Sequence, residues 1–93
     1  MKNAEETILT RHPQGKSGKN ISKEKYDAVA KAMRAALRNC ELTHTELMER
    51  MKALLGRTFD GNVAWYAETV KLDLEARKVI ERTEAKPQRY RLR

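Results

Sequence analysis

Ninety-three residues are enough for one domain with a single modest core. With 40% hydrophobic and 35% charged residues the composition is that of an ordinary helix-rich globular chain. The longest apolar runs are a few residues, too short to span a bilayer, so no membrane partner is expected. The formal net charge of +7 makes a polyanion a reasonable partner, with solubility as the plainer explanation.

The single cysteine, Cys40, excludes an internal disulfide and suits a reducing compartment. The opening MKNAEETILT places acids where a secretory leader is basic and then apolar, so a cytoplasmic protein is expected. Residues 1–25 carry six basic and three acidic side chains, and residues 76–93 carry seven and two. The middle is nearly neutral, and the positive field belongs to the ends.

Residues 1–20 lack helical periodicity and read as a flexible or extended arm; within them HPQGKSGKN is a loop and TILT a short extended segment. Helix 1 starts after Ser22, an N-cap, and buries Tyr26, Val29, Ala30, Met33, Ala36, Leu37 and Cys40 at spacings of three and four. Thr43 and Glu46 form the T-x-x-E box that opens helix 2, with Leu42 and Leu47 spaced as a hydrophobic staple. Leu47, Met51, Leu54 and Leu55 supply its apolar stripe, and Gly56 is its stop. RTFDGN is a turn that anchors Phe59. Helix 3 follows, from Gly61 or Asn62 to Arg77 or Lys78. Val79 and Ile80 open a strand, TEAKPQ turns, and RYRL returns with Tyr90 and Leu92 on one face and Arg89, Arg91 and Arg93 on the other.

The stretch DLEARKVIERTEAKPQRYRL resembles the junction of many bacterial winged-helix regulators. In these, a Leu-Glu pair (here Leu74 and Glu75) ends the third helix. An apolar pair (Val79 and Ile80) then opens a strand, and a wing leads to Tyr-x-Leu (Tyr90 and Leu92). LTHTELMERM is similar to the second helix of that family. The resemblance covers the order of elements over residues 22–93, with the closest motifs in Leu42–Met51 and Asp73–Leu92, and suggests a small bacterial subgroup. It implies a mainly α (α+β) winged helix-turn-helix over residues 21–93, three helices followed by a C-terminal β-hairpin wing. Lys78 stands where the family commonly has glycine, and the link from Gly56 to Asp60 is longer than a tight helix-turn-helix turn.

Such a fold implies DNA binding and a role in transcription regulation. Arg82, Lys86, Arg89, Arg91 and Arg93 in the wing are the candidate phosphate contacts, with Lys71 on helix 3, and Lys16 and Lys19 as an arm. Helix 3 itself fits base reading poorly. Val63, Ala67, Val70 and Leu74 form its core side, while Trp65, Thr69, Leu72 and Ala76 face away. Its acids Glu68, Asp73 and Glu75 cancel Lys71, Arg77 and Lys78. Trp65 and Leu72 are covered by the N-terminal segment (through Ile8 and Leu9) or by the hairpin, or else they form an interface with a second copy or another protein. The alternative function is therefore a protein–protein interaction or homodimerisation module without sequence-specific DNA binding.

Catalysis is not expected. His12 and His44 are far apart, Cys40 lies in the helix 1 apolar series, and no metal-ligand spacing is present. GKSGK lacks the spacing of a phosphate-binding loop. No cofactor and no small-molecule ligand is implied.

Overall fold

The computed structural model describes residues 6–16 and 18–93; the parts of the expected arm at residues 1–5 and 17 lie outside them. The elements are β1 (Thr7–Leu9), β2 (Asn20–Ser22), α1 (Lys23–Ala36), β3 (Leu42–Thr43), α2 (His44–Leu55), α3 (Val63–Ala76), β4 (Ile80–Arg82) and β5 (Arg89–Leu92). They make a small α+β domain of three helices with two small antiparallel sheets, β1-β2 and β3-β5-β4. Among the described residues no helix is long and apolar enough to cross a membrane.

The N-terminal segment is a packed hairpin. Ile8 pairs with Ile21, and both side chains lean on the core, Ile21 fully buried. Its loop is closed by Thr10, whose N–H donates to the Lys19 carbonyl and whose hydroxyl accepts the Lys19 N–H, each at 2.8 Å. A Cβ at Gly18 would lie 1.7 Å from the Thr10 carbonyl oxygen, so only glycine allows this approach.

Ser22 caps α1 by accepting the Lys25 N–H, and Tyr26, Val29, Ala30, Met33 and Ala36 are buried. The helix stops earlier than the apolar spacing suggests. Leu37 is its cap and Asn39 turns left-handed at φ 59°. Cys40 therefore leaves the buried series. Its thiol is exposed, with Sγ donating to the Ala36 carbonyl at 3.1 Å.

The capping box of α2 is formed as its sequence specifies. Thr43 Oγ1 accepts the Glu46 N–H at 3.2 Å and Glu46 Oε1 accepts the Thr43 N–H at 2.9 Å. That donated N–H holds the Glu46 carboxyl below the usual carboxylate range. Leu47, Met51 and Leu55 enter the core, but Leu54 turns outward and is 48% exposed. One helical step of 100° separates it from Leu55, and the shared stripe has room for only one of them.

In α3, capped by Asn62, Ala67, Val70 and Leu74 are fully buried against α1 and α2. Burying a side chain such as Leu74 contributes about 2 kcal/mol. The helix closes in a Schellman arrangement: Val79 N–H donates to the Leu74 carbonyl (2.9 Å), and Lys78 N–H to the Glu75 carbonyl (3.1 Å). Lys78 takes the left-handed position at φ 67°. The three-stranded sheet then forms because β5 lies between β4 and the two-residue β3, with Leu42 opposite Tyr90 and Ile80 opposite Leu92.

Candidate nucleic-acid interface

The wing cations divide into engaged and unengaged groups. Arg82 grips Glu75 of α3 with its fork, Nε at 2.5 Å and an η nitrogen at 3.1 Å, and also lies over the Tyr90 ring. The paired carboxylate raises the Arg82 guanidinium above its ordinary value. Arg91 bridges Glu81, directly opposite on β4, at 2.7 Å and Glu41, just before β3, at 3.0 Å; Arg93 lies 3.7 Å from Glu81. These pairs lace the outer face of the sheet across all three strands. Lys86 and Arg89 have no ion pair among the described residues, although Arg89 is close enough to lower the Glu46 carboxyl further.

Lys71 does not belong with them. Its side chain is buried (the residue is 2% exposed), and its ammonium donates to the Tyr90 hydroxyl at 3.1 Å. The Tyr90 ring centroid is 4.3 Å away, Glu68 Oε1 3.3 Å and His44 Nδ1 3.4 Å. A phosphate cannot reach it there, so Lys71 leaves the set of phosphate contacts. Its stem fills space between α3 and β5, and its charge is spent inside.

The three acids of α3, which the sequence sets against an anionic partner, are also spent inside. Asp73 is wholly buried; its Oδ1 accepts the Arg11 N–H at 2.8 Å, and its Oδ2 accepts Arg77 Nε at 2.8 Å and the Tyr26 hydroxyl. Burial first, and then this bond to a carboxylate, push the Tyr26 phenol up to about 12. Glu75 is held by Arg82, and Glu68 by Lys71. Opposite charges a few ångströms apart cancel at longer range. The unpaired cations in the hairpin loop are Arg11, Lys16 and Lys19, with Lys78 past the helix end and Lys86 and Arg89 in the wing; Asp60 before α3 and Glu84 in the wing turn are acids without an ion pair among the described residues.

The hairpin loop lies along α3. One open cleft, about 500 Å³, is lined by Arg11, His12, Lys16, Glu75, Ala76 and Lys78 among others. A smaller one is bounded by Thr10, Arg11, Gly18 and Lys19 on the loop and by Thr69 and Leu72 on the helix. Leu72 is thus half-covered by the loop itself, whereas Leu9 is 65% exposed and Ile8 packs on the main core. Trp65 stays 43% exposed, its ring edge-to-face with Tyr66 at 5.0 Å, which in turn meets Phe59 at 5.2 Å. The two candidate interface residues therefore differ: Leu72 has intramolecular cover and Trp65 is open.

Arg11 and Gly18 escape sequence reasoning. The signal for them is the pairing of ILT with NIS across a Gly-rich loop, which brings the loop back to α3.

No curated protein and no solved structure matches the chain. Residues 7–90, from the first residue of β1 into β5, match a family of unknown function (DUF6958), and to that family the protein belongs.

Proposed function

We propose that this domain is a winged helix-turn-helix that binds DNA through its phosphates, with little base reading by α3. The winged-helix reading is supported by the strand order β3-β5-β4, in which the segment before α2 joins the C-terminal hairpin. The binding reading is carried by one observation: every carboxylate of α3 is neutralised within the fold, while six Lys and Arg of the hairpin loop, the helix end and the wing (Arg11, Lys16, Lys19, Lys78, Lys86 and Arg89) are unpaired. Cations of this kind give affinity and salt dependence rather than sequence preference. The outward face of α3 offers Trp65, Thr69 and Leu72, a poor set for base edges.

Titration of DNA, duplex and single-stranded, at several salt concentrations tests this. If all six cations meet duplex phosphates, log K falls with log salt at a slope of about −5, the upper limit for this surface. Lys86→Gln/Arg89→Gln makes the slope shallower by about 2. Failure of both DNA forms to bind at low salt defeats the proposal. The exposure of Trp65 favours a second reading, association with another protein or a second copy. A stable dimer in solution that Trp65→Ala dissolves into folded monomers supports that reading.

A further inference from the structure

We infer that the preferred partner is a single-stranded nucleic acid, lying along α3 in a trough with a cationic loop wall and Trp65 at its open end. The inference rests on the nucleic-acid reading above and narrows it to one class of polymer. Angular positions around α3 define the trough. At 100° per residue from Leu72, Trp65 lies within about 20°, on the same outward line. Thr69 and Asp73 lie about 60° and 100° to one side, and Glu75 and Lys71 about 60° and 100° to the other. The first pair meets the β1–β2 loop, through the small cleft and the Arg11 N–H on Asp73. The second pair meets the wing base, through Arg82 and Tyr90. The core occupies the remaining side, at Ala67, Val70 and Leu74. At Leu72 the outward line therefore runs between two walls, and about 10 Å along it lies Trp65.

That geometry disfavours a duplex. A helix with its side chains is about 10–12 Å across and fills a major groove about 12 Å wide, so it reads a groove only when it stands clear of its neighbours. Here a loop anchored by Asp73 and closed by Thr10 and Gly18 is packed against the same helix. A single strand has the opposite requirement, a channel of positive charge with an aromatic face for its bases. Lys16, Lys19 and Arg11 supply charge on the loop wall; on the wing side Arg82 is neutralised by Glu75, and the unpaired cation there is Lys86. Trp65 supplies the face, its ring set against Tyr66 and its backbone N–H fixed by the Asn62 side chain at 3.0 Å.

Trp65 is the only tryptophan, so its emission reports on stacking directly. Titrating the full chain with a short oligothymidylate is expected to quench that emission, and a duplex of equal length to bind more weakly with little quenching. Trp65→Ala, followed by anisotropy of a labelled strand, is expected to lose about tenfold or more in affinity. Lys16→Gln/Lys19→Gln is expected to make the salt slope shallower by about 1.4, while Lys31→Gln/Arg34→Gln on α1, an equal change in net charge, leaves it unchanged. Tighter binding of duplex, or single-strand binding without quenching and without sensitivity to Lys16 and Lys19, overturns the inference and leaves the nucleic-acid reading standing. Absence of binding to either polymer removes both.

Discussion

Lys78 holds a backbone position that its side chain does not favour. At φ 67° it sits left-handed at the end of α3, and both Schellman bonds depend on that conformation. The Cβ of an L-residue costs about 1 kcal/mol there, and glycine avoids the clash. Because the Lys78 side chain is exposed, Lys78→Gly removes no packing. The substitution is expected to stabilise the domain by about 0.5–1 kcal/mol, seen as a higher urea midpoint at unchanged slope. Lys78→Val should lower the midpoint, since a β-branched residue tolerates the conformation least. A midpoint that falls with glycine would show that α3 does not end in this way. Lysine at this position is thus accommodated locally, by backbone strain at the end of α3.

At the level of elements, Asp73 ties the N-terminal loop, α1 and α3 to one buried carboxylate through Arg11, Tyr26 and Arg77. The pH dependence of the clasp follows from Tyr26. Its phenol ionises at about 12 in the fold against an ordinary value of 10.0, so the folded state holds the proton more tightly than the unfolded chain. The stabilisation is complete below about pH 10 and is lost as pH rises towards about 12. Tyr26→Phe is expected to cost about 1.5–3 kcal/mol near neutral pH, the range for a hydrogen bond to a charged group. The gap between the two proteins should narrow steadily from about pH 10 upward, as unfolding measured at a series of alkaline pH values would show. A gap that stays constant across that range would sever Tyr26 from the clasp. Little of this clasp was legible beforehand, because in the sequence Asp73 is one of three acids on a helix and its partners lie up to 62 positions away. The caps at Ser22 and Thr43 were legible, since each is closed within three residues. Strand β3 was not: two residues carry no periodicity, and its partner Tyr90 lies at the far end of the chain. Cys40 and Leu54 show the limit of spacing arguments, which extend a stripe past the point where a left-handed residue or a crowded face ends it.

Across the whole molecule, the distribution of unpaired charge matters more than the net charge of +7. The wing arginines promised by the sequence are largely consumed in holding the sheet, and the helix acids that opposed an anionic partner are consumed in holding α3. Counting residues missed both changes because pairing is a property of the fold. Lys71→Met isolates the point. It lowers the net charge by one, as Lys86→Gln does, but removes an ammonium that is 2% exposed and already committed to Tyr90 and Glu68. Methionine keeps most of the stem's packing while leaving the buried Tyr90 hydroxyl short of its donor, at a cost of about 1–2 kcal/mol in stability. Glu68 Oε1, a buried oxygen without a hydrogen bond, also loses its counter-charge, which adds to that cost although the rest of the side chain is exposed. The expected result is a modest fall in the unfolding midpoint with no loss in the salt slope of nucleic-acid binding. Lys86→Gln should give the reverse, unchanged stability and a slope shallower by about 1. If Lys71→Met flattens the slope as much as Lys86→Gln, binding responds to total charge rather than to the surface around α3, and the trough loses its electrostatic basis.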